Sequence, residues 1–179
     1  PNFFPFGVAP DFMDARINVL WADAPGTILP DTTYYADGHP QKDKLLKKWH
    51  ESSEALLQKF EFSAEEIQDL LDKVLELDAR IAKVVLSREE SSEYAKLYHP
   101  YKWEDFKALA PNLPLDAIFT QLIGQIPDQI IVPEERFWQA ADQFYCEETW
   151  PLLKAVLIFN AIASAEAYLT DEIRILAGA

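Results

Sequence analysis

Between Ser63 and Val84, apolar residues recur at steps of three and four: Ile67, Leu70, Leu71, Val74, Leu75, Leu77, Ile81 and Val84. Only a helix of about 3.6 residues per turn brings such positions onto one face. Ser63-Ala64-Glu65-Glu66 heads this run as a capping box, in which the Ser63 hydroxyl accepts from the Glu66 amide and the Glu66 carboxylate reaches back. An amphipathic helix of this length draws most of its stability from packing its stripe on other elements. It sets the chain in a mainly helical class.

Other segments agree. Pro40 suits a first helical turn after Asp37 and Gly38, and Leu45, Leu46, Trp49, Ala55, Leu56 and Phe60 follow as a second apolar stripe. Shorter helices are expected over Ser91–Leu97, Trp103–Leu109 and Leu115–Ile123, with Pro100, Pro111 and Pro114 interrupting between them. Pro133 opens a helix through Phe137, Trp138 and Phe144. Glu148-Thr149-Trp150-Pro151 starts the last long one, reaching Leu169 or beyond. Phe4–Pro10 and Ala15–Ala22 read as strands joined by a turn at Asp11–Asp14, a hairpin, with Gln129–Val132 a third strand against them. The expected fold is mainly α with a small antiparallel β-sheet. With no repeat, low-complexity tract or linker, residues 1–179 read as a single unit.

Sixteen basic and thirty acidic residues leave a net charge of −14, which repels phosphate backbones, so no nucleic-acid partner is expected. Lys154, Asn160, Ser164 and Glu166 interrupt the most apolar window, Leu152–Leu169, so no membrane partner is expected either. Cys146 is the only cysteine, which rules out a disulfide within these 179 residues and fits a reducing, cytoplasmic setting. The chain opens on Pro1 within an aromatic run of Phe3, Phe4 and Phe6 and reads as a piece of something longer. Exposed apolar surface is then expected at this amino terminus and on the last helix.

The side chains that could do chemistry are scattered. His39, His50 and His99 lie more than ten residues apart, and none begins the His-Glu-x-x-His pattern that places two zinc ligands and a base on one helical face. Glu65, Glu66, Asp69, Asp72, Glu76 and Asp78 read as a solvated helix face, with Glu76 and Arg80 at ion-pair spacing. No Glu-x-x-His occurs for a carboxylate-bridged metal pair. There is no nucleophile elbow, and the five glycines form no phosphate-binding loop. Cys146 reads as a small, partly buried residue, and Tyr34-Tyr35 and Phe137-Trp138 as core anchors. No catalytic, cofactor-binding or metal-binding residue is assigned.

One segment remains, Leu29-Pro30-Asp31-Thr32-Thr33-Tyr34-Tyr35. It resembles the Leu-Pro-x-x-x-Tyr-Tyr element in the amino-terminal half of neprilysin-type zinc metalloendopeptidases, above all their bacterial members. In the same order, Val8-Ala9-Pro10-Asp11 resembles the family's strand and acidic turn, and Val74–Ala82 its Glu-Leu-Glu-x-x-Ile-Ala helix. Tyr98-His99-Pro100, Ile130–Phe137 and Asp171–Leu176 match further steps, so the likeness covers nearly the whole chain. The family's His-Glu-x-x-His helix, its downstream Glu ligand and its substrate-binding strand have no counterpart here, so no family site residue is carried over.

The resemblance implies an amino-terminal portion of the helical lobe of a two-lobed metallopeptidase. Such a lobe covers a zinc lobe, absent from this chain, and encloses a chamber that admits oligopeptides. Zinc would then belong to the parent enzyme and not to this portion, which is expected to be inactive alone; its partners would be the missing catalytic lobe and an oligopeptide substrate. Two other readings stay open: an independent helical module binding proteins or peptides in an apolar groove, and an acid/base enzyme using a carboxylate pair.

Overall fold

In the computed structural model, residues 4–93 and 97–165 are described. The chain falls into two compact units. One holds Thr27–Lys83 and the chain from Glu147 on; the other holds the chain up to Gly26 together with Val84–Cys146. The backbone passes from one to the other at three points. No linker composition marks them.

The first unit is helical. A short 3₁₀ turn, Thr32–Tyr35, precedes α1 (Lys42–Gln58) and α2 (Ala64–Ile81); α7 (Trp150–Ser164) returns to it late in the chain. The Ser63 capping box forms as expected, with both reciprocal hydrogen bonds. On α2 the buried stripe is Ile67, Leu70, Leu71, Val74, Leu77, Asp78 and Ile81. Leu57 of α1 and Ala155 of α7 close over it, with Trp49 and Phe159 in ring contact at 5.4 Å. Between α1 and α2 the chain turns through Glu61 in the left-handed region (φ 63°), the usual stop for a helix, here without a glycine.

The second unit contains β1 (Phe6–Pro10), β2 (Asn18–Ala22), the one-turn α3 (Arg88–Ser91), β3 (Pro100–Lys102) and α4 (Trp103–Leu109). It continues with α5 (Leu115–Ile123), β4 (Gln129–Ile131) and α6 (Glu135–Ala140), which tightens into a 3₁₀ turn to Gln143. Phe137 and Trp138 are fully buried among Phe106, Phe119 and Ile130–Val132, as core anchors should be. The Trp138 indole N–H donates to the carbonyls of Ala22 and Asp23, both at 3.0 Å, and its ring stacks on Phe6 at 5.1 Å.

The mainly helical class with a small sheet stands, and α4 and α5 have the expected bounds. The sheet is not wholly antiparallel. Its order is β1-β2-β4-β3; β1–β2 and β3–β4 are antiparallel, but β4 joins β2 in parallel through Trp21 and Ile131. Parallel neighbours need a long connection, and more than a hundred residues separate β2 from β4, so no local pattern announces the pairing. The fourth strand, β3, begins on Pro100, read above only as a helix breaker. Proline is at home at the first residue of an edge strand, where its missing N–H costs least.

Of the helix expected over Ser91–Leu97, residues 94–96 lie outside the described residues, and the described turn, Arg88–Ser91, starts earlier on a second capping box, Ser87 with Glu90. The stretch of the last helix beyond 165, and residues 171–176 of the resemblance, also lie outside. No helix among the described residues is long and apolar enough to cross a membrane. Cys146 is exposed rather than partly buried. Large exposed apolar side chains gather on the first hairpin (Val8, Phe12, Met13, Ile17) and at the end of α5 and just beyond it (Leu122, Ile123, Ile126), while the described part of the last helix shows Trp150.

Candidate functional site

The Leu29–Tyr35 segment folds into a clamp on α2. Asp31 stops the chain in extended backbone and accepts from the Thr33 N–H at 2.9 Å, which starts the 3₁₀ turn. That turn swings Tyr35 toward the helix. Its hydroxyl donates to Asp78 Oδ2 at 2.5 Å and accepts from the Leu29 N–H at 3.0 Å, while Asp78 Oδ1 accepts from the Ile28 N–H at 2.8 Å. Lys42, at the start of α1, donates its ammonium to the Tyr35 carbonyl at 2.8 Å. Leu29 is buried at the centre of the clamp. Tyr35 itself is only half-buried, so it works through its hydroxyl and not as a core anchor; Tyr34 lies against His39, ring centroids 4.3 Å apart.

Asp78 departs from the solvated face assigned to it. It is 7 % exposed, whereas Glu65, Glu66, Asp69, Asp72 and Glu76 are exposed as expected and Glu76 pairs with Arg80. Burial pushes the Asp78 carboxyl above its ordinary range against the pull of its two donors, and burial together with Asp78 pushes the Tyr35 phenol well above its own. Thr32, Tyr35, Lys42, Leu46, Asp78 and Lys83 contribute to the walls of a cleft of about 590 Å³. On its wall Tyr35, Lys42 and Asp78 are engaged with the backbone of Leu29, Tyr35 and Ile28. The phenol bridges the Leu29 N–H and the Asp78 carboxyl, which also accepts from the Ile28 N–H, so the pair positions chain.

The histidines are divided between the two units. His39 accepts from the Gln41 N–H at 3.3 Å, and His50 faces Glu54 at 3.9 Å, both in the first unit. His99, in the second, has its Nδ1 buried without a hydrogen bond, 3.9 Å from Glu135 Oε2. It borders a cleft of about 370 Å³ with Glu90 and Arg136, which are joined by a two-pronged ion pair.

A family model described as peptidase family M13, for the amino-terminal part of those enzymes, matches residues 1–178. The chain belongs to peptidase family M13. A Streptococcus gordonii protein named "Putative zinc metalloproteinase in scaA 5'region" is 70% identical over all 179 residues, which span 32% of its length. The "Neutral endopeptidase" of Lactococcus lactis subsp. cremoris is 36% identical over the same 179 residues, 28% of its length. Among solved structures, the crystal structure of PEPO from Lactobacillus rhamnosis HN001 (DR20) superposes with a TM-score of 0.87 at 22% identity, over 99% of this chain and 28% of that one. That likeness is one of fold.

The chain therefore spans about a third of the length of the M13 relatives it matches. Zinc stands in the name of one of them. Zinc sites are built from about four tetrahedral nitrogen, sulfur or oxygen ligands. Among the described residues of this M13 chain, no three His, Cys, Asp or Glu side chains gather where an ion would sit.

Proposed function

We propose that this chain is the non-catalytic, substrate-gating amino-terminal portion of a zinc-dependent metalloendopeptidase that hydrolyses oligopeptides, and that it is inactive alone. The observation that carries the reading is the M13 match along residues 1–178 of a chain that amounts to 28–32% of its relatives' length. The names of those relatives supply peptide hydrolysis and zinc. The remaining length of such proteins is where the metal ligands, the general base and the peptide-binding cleft would lie. Two compact units, one helical and one carrying the small sheet, suit a part that shapes access to that cleft. Its partners are the catalytic lobe and the oligopeptide, and the cytoplasm is the setting we assign, in keeping with a lone thiol.

The test compares the 179-residue chain with the full-length product of the reading frame that carries it. Zinc content and cleavage of a fluorogenic oligopeptide are measured with and without chelator. The full-length product should hold stoichiometric zinc and lose activity to the chelator, and the chain alone should show neither. A tightly held zinc and chelator-sensitive cleavage from the 179 residues alone would overturn the reading. A native product of only 20.5 kDa would instead favour an independent binding module.

A further inference from the structure

Along one edge of the sheet, backbone groups alternate between facing the neighbouring strand and facing outward. β1 ends the strand order β1-β2-β4-β3. Its pairing with β2 is bracketed by two bonds, Asp23 N–H to Pro5 O at 2.9 Å and Asp11 N–H to Ile17 O at 3.0 Å. In an antiparallel ladder, successive residues turn their backbone groups alternately toward the neighbour and away from it. Positions 5 and 11 face β2, so 7 and 9 do as well, and Phe6, Val8 and Pro10 face outward. Phe6 N–H is occupied by the Phe4 carbonyl at 2.9 Å, and Pro10 has no N–H to offer. The open edge thus presents one donor, the Val8 N–H, and three acceptors, the carbonyls of Phe6, Val8 and Pro10, none with another partner among the described residues.

Val8 is 65 % exposed, and Phe12, Met13 and Ile17 add exposed apolar surface at the hairpin's end. We propose that this edge binds an extended oligopeptide by strand addition, antiparallel to β1. About five residues, roughly 17 Å of extended chain, span the window. The central residue exchanges both backbone bonds with Val8, and the N–H groups two positions before and after it reach the Pro10 and Phe6 carbonyls. Its side chain stands beside Val8 on the same face, which favours a β-branched or aromatic residue there. The net charge of −14 favours basic flanks.

A second copy of this chain fits the edge poorly. Two β1 strands meeting about a two-fold axis at Val8 would make only the reciprocal Val8 pair, because each Phe6 carbonyl would face a Pro10 nitrogen that carries no hydrogen. A peptide with N–H groups at alternate positions satisfies all four edge groups. The proposal goes beyond the gating function and does not need it, since the edge would hold a peptide whether or not a zinc lobe cleaves it.

The experiment titrates the ¹⁵N-labelled full-length product of the reading frame that carries this chain with an end-capped Lys-Val-Thr-Val-Lys peptide, and with the same peptide N-methylated at the central threonine. Amide shifts should centre on Phe6–Ala9 and Asp11 and saturate with the unmodified peptide only. Val8→Pro removes the single donor at an edge position where proline is tolerated and should weaken binding roughly tenfold or more, while Val8→Ala keeps the N–H and should stay within about threefold. If Val8→Pro fails to fold, the N-methylated peptide on the unaltered chain tests the same reciprocal pair of bonds from the peptide's side. Equal binding of both peptides, shifts centred elsewhere, dimerisation through β1 in place of peptide binding, or no saturable shift would each overturn the proposal.

Discussion

Asp78 falls four residues after Val74 and seven after Leu71, which puts a carboxylate on the apolar stripe of α2. That position was open to reading from spacing alone; the identity of its partner was not, because Tyr35 lies 43 residues away. Removing the phenol hydroxyl strands both Asp78 Oδ2 and the Leu29 N–H. Tyr35→Phe should therefore cost about 1–3 kcal/mol in urea unfolding, and a double-mutant cycle with Asp78→Asn should return a large part of it as coupling. The pH dependence has a definite sign. Burial holds the folded Asp78 carboxyl above its ordinary 3.8, so the folded state binds an extra proton between that value and its own pKa. This group's contribution is complete below the unfolded value and is lost as pH rises through the folded one. The hydroxyl pulls the folded pKa back down, so Tyr35→Phe should be more costly at neutral pH than in acid. An equal cost at both would show that the hydroxyl does not bond the ionised carboxylate.

Elements announced themselves where the information was local. The capping box at Ser63, the two apolar stripes, the hairpin and the bounds of α4 and α5 all rest on residues within a few positions of one another. The Ser87 box is just as local, and the same Ser-x-x-Glu spacing would have found it. Ser63→Ala should lower stability by about 1 kcal/mol, and Ser63→Asp, which keeps an acceptor at the cap, should recover most of it. Chemical denaturation of the three proteins decides; equal losses for both variants would mean that the cap bond contributes nothing. The parallel β2–β4 contact and the strand at Pro100 depend on which distant segments are brought together, and alternation within a strand is silent on that. The Leu29–Tyr35 turn lies between these cases: its Asx-started turn is local, its grip on α2 is not.

For the whole molecule, composition sets the charge and the fold only redistributes it. Burial raises the carboxyls of Asp23, Asp78 and Glu134, while partners lower those of Asp14, Glu66, Glu90 and Asp116, so the isoelectric point should stay near the sequence value of 4.5. Solubility should pass through its minimum there, and turbidity followed from neutral pH into acid checks it; a minimum well away from that pH would show the compensation to be wrong. By itself, the sequence determined a mainly helical class, the places of its long helices, the family resemblance later met by the M13 match, and the absence of a His-Glu-x-x-His pattern within these residues. These follow from periodicity, caps and motifs, which are properties of neighbouring residues. Only the tertiary structure decided that the chain makes two units, that the sheet is mixed, that Asp78 is clamped by Tyr35, and that β1 leaves Val8 at an open edge. Each of those depends on contacts between segments far apart in the chain, whose closure is settled by total burial and hydrogen-bond satisfaction and not by any local pattern.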